Sequence, residues 1–95
     1  MSDKGDAPKR FALEQNYPNP FNPSTTIRFD VPTRSFVSIK IFDLLGREIE
    51  TLTNGYRDIG TYAIKWNPEQ LPNGPYFYRL TAGNFSTVHK MMLLK

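Results

Sequence analysis

The side chains able to carry out acid–base or nucleophilic chemistry are few. His89 is the single imidazole, cysteine is absent, and five serines are scattered along 95 residues. A serine–histidine–acid triad would need His89 as its base, yet no serine sits in a Gly-x-Ser-x-Gly elbow or a comparable setting. His89 therefore reads as an ordinary strand histidine. Glu48 and Glu50, two apart, would share one strand face, which solvent usually claims, and glycoside hydrolysis would also need a deep cleft. With Asp43 they lack the Asp-x-Asp-x-Asp-Gly spacing of a calcium loop. Gly46, Gly55, Gly60, Gly74 and Gly83 are isolated turn residues and not a phosphate-binding loop. The expectation is a chain with no catalytic residues, no cofactor and no metal site. Asn84-Phe85-Ser86 fits the N-glycosylation triplet, a weak signal by chance alone.

Thirteen aromatics are the other chemical resource: seven Phe, five Tyr and one Trp. A sugar-binding platform needs rings exposed in a row, whereas a short chain needs its rings inside. Core filling is the simpler reading, with Phe36 and Phe42 left as candidates for an exposed patch. A carbohydrate-binding or surface-attachment module remains the alternative function class.

The elements that must position these residues are short. Eight Pro and six Gly punctuate the chain too often for long helices. Alternation predicts strands over Thr25 to Val31, Phe36 to Phe42, Gly60 to Trp66, Gly74 to Ala82 and Phe85 to Leu94. Ile27, Phe29, Val31, Val37, Ile39, Ile41, Tyr62, Ile64, Trp66, Tyr76, Tyr78 and Leu80 form their inward set. Ala82-Gly83-Asn84 reads as a hairpin loop, and Asn54-Gly55 and Pro72-Asn73-Gly74-Pro75 as turns. Ile41, Leu45, Ile49 and Leu52 fall at helical spacing, but Gly46 opposes a helix by about 1 kcal/mol. A hairpin loop at Asp43-Leu44-Leu45-Gly46 followed by a strand fits better. With a short strand near Phe11 to Glu14 the count reaches seven, which predicts an all-β, antiparallel sandwich.

The net charge of +3 is spread without runs, so nucleic acid is not expected as a partner. No apolar stretch approaches a membrane span. Met1 to Arg10 has no hydrophobic region and reads as a linker after an added initiator Met, with the domain at residues 11–95. The unusual stretch is Leu13-Glu14-Gln15-Asn16-Tyr17-Pro18-Asn19-Pro20-Phe21-Asn22-Pro23-Ser24-Thr25. Its three prolines oppose helix and ladder pairing and predict a stiff strap, pinned over a sandwich edge by Tyr17 and Phe21.

From Leu13 to Ile27 this stretch resembles the opening motif of the type A C-terminal sorting domains of type IX secretion cargo. Further blocks match in order: Asp43-Leu44-Leu45-Gly46-Arg47-Glu48 within Val37 to Glu48, Gly60 to Trp66, Gly74 to Leu80, and Lys90 to Lys95. Pro75 departs from the family, which usually has a β-former there. The ending at Lys95 matches a native C-terminus. The resemblance implies a seven-stranded, immunoglobulin-like sandwich related to hook-capping domains, serving as an address and not as a catalyst. It implies as partners the outer-membrane translocon, a sortase-like cysteine protease and N-terminal cargo domains in cis, with periplasmic transit before the cell surface. Recognition is expected at Lys90, Met91, Met92, Leu93, Leu94 and Lys95, with Gly74, Tyr76 and Tyr78 from the second signature block.

Overall fold

The computed structural model describes residues 7–95, which contain seven strands and no helix. The linker expected over Met1 to Arg10 lies largely outside the described residues. The strands are β1 (Ala12–Leu13), β2 (Thr25–Val31), β3 (Ser35–Phe42), β4 (Glu48–Arg57), β5 (Gly60–Trp66), β6 (Gly74–Ala82) and β7 (Phe85–Leu93). They form two sheets of order β1-β2-β5 and β4-β3-β6-β7, antiparallel throughout. Hydrophobic alternation places Ile27, Phe29 and Val31 on one inner face and Val37, Ile39, Ile41, Tyr78, Leu80, Met91 and Leu93 on the other, all fully buried. This is the immunoglobulin-like sandwich, with β4 paired to β3 on the larger sheet.

Three turn expectations meet the structure differently. The loop after β3 is built on Asp43: its Oδ1 accepts from the Leu45 and Arg47 amides, each at 2.9 Å. Gly46 closes that loop at φ +84, a conformation that disfavours any L side chain. The hairpin at Gly83-Asn84 also forms, between β6 and β7. Asn54-Gly55, however, is not a turn. Both residues lie inside β4, paired to Ser38 and Val37, and the chain turns later at Asp58 and Ile59. Pairing along β3 supplies partners that outweigh the local preference of Asn-Gly.

β4 also explains the ambiguous helical spacing. The β3–β4 register slips twice, between Ile39 and Lys40 and between Ile41 and Phe42, so Leu52 and Ile49 are left without opposite residues. Each bulge resets the alternation, and both Ile49 and Leu52 pack against the core although they are three apart. The same slip separates the two acids. Glu48 pairs with Phe42 and meets Lys40 at 3.5 Å, while Glu50 pairs with Ile41 and accepts the Trp66 indole N–H at 3.0 Å. The expected shared face for Glu48 and Glu50 does not exist.

Pro75 is accommodated within β6, opposite Met92. Gly74 and Tyr76 occupy the hydrogen-bonding positions towards β7, so the side of Pro75 that lacks a donor faces the β3 edge. There β3 has already ended at the Phe42–Phe77 pair, and no partner is lost.

Candidate functional site

The proline strap is tied to the last strand. Phe21 is buried at 1% exposure and forms a parallel bridge with Leu93. Its amide donates to the Met92 carbonyl, and its carbonyl accepts from the Leu94 amide, each at 3.0 Å. Asn19 Oδ1 accepts from the Met92 amide at 3.0 Å, and Gln15 Nε2 donates to the Lys90 carbonyl at 2.7 Å. Ladder pairing therefore does occur in the strap, through its non-proline residues. Tyr17 behaves otherwise than expected: its backbone bridges Thr26, but its ring is 81% exposed and pins nothing.

The strap's two ends are held by a buried polar cluster that the sequence reading missed. Asn16 Nδ2 donates to Thr25 Oγ1 at 2.9 Å and to the Pro18 carbonyl at 3.1 Å, and Thr25 Oγ1 donates to the same carbonyl at 2.8 Å. Both side chains are about 2% exposed. Among the described residues no buried side-chain polar atom is unpartnered, so the cluster carries little desolvation penalty. The only available signal was two polar residues flanking the proline run, and that pattern is common in loops.

The expected recognition residues divide by burial. Tyr76, Tyr78, Met91 and Leu93 are core. Tyr78 O–H donates to the Glu14 carbonyl at 2.7 Å, and Tyr76 O–H to the Pro72 carbonyl at 2.7 Å. Burial pushes both phenols up, Tyr78 up to about 12, where the Glu14 charge adds and the Asn16 backbone opposes. Lys90, Leu94 and Lys95 are exposed, and Met92 and Gly74 are intermediate. Gly74 has φ +141 with open space where a Cβ would sit, so its backbone conformation and not crowding calls for glycine.

Three segments meet around the chain's last residues. The Lys95 amide donates to Asn73 Oδ1 at 2.8 Å and its Nζ to the Glu69 carbonyl at 3.1 Å. Asn73, Gly74 and Pro75 line an open depression together with Asp43, Leu44 and Leu45. Leu44 is 66% and Leu45 76% exposed, two apolar side chains presented by a rigid loop. The Arg47 amide holds the Asp43 carboxyl below its usual range against opposing burial, with the Arg47 guanidinium and the Leu45 amide assisting. The sequence puts Leu44 and Leu45 in a turn, and the fold leaves both side chains in solvent. Leucines in a turn were the available signal.

His89 lies at a structural junction. Its Nε2 donates to the Leu13 carbonyl at 2.7 Å, linking β7 to β1 across the two sheets, and its ring packs 5.7 Å from that of Tyr78. The exposed aromatics form no flat row. Phe36 and Tyr56 meet edge to face at 88°, and Phe42 is only partly exposed beneath the Arg79 guanidinium, 4.7 Å from its ring. Phe42 is thus not the open patch residue that alternation alone suggested.

These features define an all-β, immunoglobulin-like domain whose distinctive segments gather at one pole. Residues 15–94 match the family model described as "Secretion system C-terminal sorting domain", and the chain belongs to that family. No curated protein matches the chain. Membership makes it a type IX secretion sorting domain, a targeting unit of a secreted or cell-surface protein that works with the secretion machinery. Among the described residues no helix is long and apolar enough to cross a membrane.

Proposed function

We propose that this domain carries N-terminal cargo in cis through the outer-membrane translocon and on to cell-surface attachment, and that it acts without catalysis. The translocon reads the pole that bears Gly74, Lys90, Met92, Leu94 and Lys95, while Tyr76, Tyr78, Met91 and Leu93 hold that pole in shape. A sortase-like cysteine protease acts in or before Met1 to Arg10, the linker, and the domain proper runs from 11 to 95. Transit passes through the periplasm.

The observation that carries this reading is the clustering of exposed Leu44, Leu45, Leu94 and Lys95 around the Asn73–Gly74 turn. Phe11, where the cargo side enters, stacks on Phe85 at the opposite end of β7. A nine-residue strand separates the two by roughly 30 Å, so a receptor can hold the pole while cargo hangs clear. Receptor pairing with the backbone of residues 90–94 is disfavoured, because the strap already takes those groups.

The test fuses the full chain to a fluorescent reporter in a bacterium that has this secretion system. Surface delivery that is lost on deleting Leu94 and Lys95, or in Leu44→Asp/Leu45→Asp, while thermal melting is retained, supports the pole. Periplasmic retention of every fusion, the intact chain included, rejects the proposal in that host.

A further inference from the structure

Four strand edges border the two sheets, and three are blunted. β1 is two residues long. β7 is covered by the strap over its C-terminal half. β4 is deformed by two bulges, which spoil an edge for regular pairing. β5 is different: seven residues, no proline and an unbroken register against β2.

The direction of its free backbone groups follows from β2. The carbonyl of Arg28 bonds the Glu14 amide, and Thr26 exchanges both backbone bonds with Tyr17, so even-numbered residues of β2 face the strap. Odd-numbered β2 residues therefore bond β5 through Gly60, Tyr62, Ile64 and Trp66. Thr61, Ala63 and Lys65 turn their N–H and C=O groups outwards. Their side chains are exposed, and no backbone bond to them from another segment exists among the described residues.

We propose that β5 is a self-association edge that pairs antiparallel with β5 of a second copy, about a two-fold axis at Ala63. In this register Ala63 opposes its own twin, and Thr61 opposes Lys65. Six backbone hydrogen bonds form across the axis, and the two three-stranded sheets become one of six strands. The side-chain rows agree with this register. Asp30, which already accepts the Thr61 hydroxyl at 2.9 Å, lies in the row that receives the second copy's Lys65. Two strand spacings, about 10 Å, separate their backbones, a gap the two side chains can close. The symmetry repeats this ion pair. Arg28, behind Ala63, stays roughly 14 Å from its twin, beyond the screening length at about 0.1 M salt. A foreign strand would have to supply this complementarity, whereas a second copy carries it already.

Sedimentation velocity of the full chain from micromolar to millimolar concentration tests the proposal. A concentration-dependent dimer is expected. Ala63→Pro, which removes an outward donor, and Ala63→Lys, which sets two cations face to face, should each shift association at least tenfold towards monomer. Lys65→Glu should weaken the dimer, and Lys65→Glu/Asp30→Lys should restore it. Unchanged thermal melts show that these exposed substitutions spare the fold. A chain monomeric throughout, or a dimer indifferent to both Ala63 variants, overturns the proposal. So does a monomer that pairs β5 only with an unrelated extended peptide.

Discussion

Phe21 and Leu93 form a parallel β-bridge in a molecule whose named strands all pair antiparallel, and both side chains are buried. The bridge makes the strap a partial extra strand on the edge of β7. It closes the outer backbone edge of β7 over its C-terminal half.

Phe21 should accordingly dominate the strap's contribution to stability. Phe21→Ala opens a cavity beside Trp66, whose ring centroid lies 5.9 Å away, and should cost about 3–5 kcal/mol in urea denaturation. Hydrogen exchange at the Leu94 amide should accelerate in the same variant. Tyr17→Ala, four residues earlier in the motif but exposed, should stay within about 0.5 kcal/mol of wild type.

The Glu50–Trp66 bond can be read from the only tryptophan. Glu50→Ala leaves a nearly buried indole N–H without its acceptor and should destabilise by about 1–2 kcal/mol, with a red-shifted emission as water approaches. Glu50→Gln keeps an acceptor oxygen and should lose less than half as much.

Tyr78 contributes to stability on the alkaline side. Its folded-state pKa is raised to about 12 from 10.0, so its stabilising effect is complete below pH 10 and declines as pH rises towards 12. Tyr78→Phe should flatten the fall of melting temperature over that range. It should also cost about 1–2 kcal/mol at neutral pH, because the Glu14 carbonyl loses its partner.

Asp43 acts on the acid side. Its folded-state pKa lies below 3.8, so its contribution is present above that value and is lost as pH falls through the depressed one. Melting curves of wild type and Asp43→Asn should therefore differ at pH 6 and converge towards pH 2. Divergence on acidification would contradict the Asp43-centred loop.

Five strands are legible in the chain almost residue for residue, because burial on one face imposes a period of two that β2, β3, β5, β6 and β7 keep. The family is legible there too, since the motifs from Gln15 to Leu94 survive as a linear pattern. The remaining features arise from contacts between distant segments. Asn54-Gly55 is a turn by local preference and a strand because β3 lies alongside it. Ile49 and Leu52 are helix-spaced in the chain and share one strand face because two bulges reset the pleat. Which residues of the terminal block face outwards, and that the strap occupies its edge, depend on contacts between segments at opposite ends of the chain. No local pattern records such contacts, because backbone pairing is made by groups that every residue carries alike.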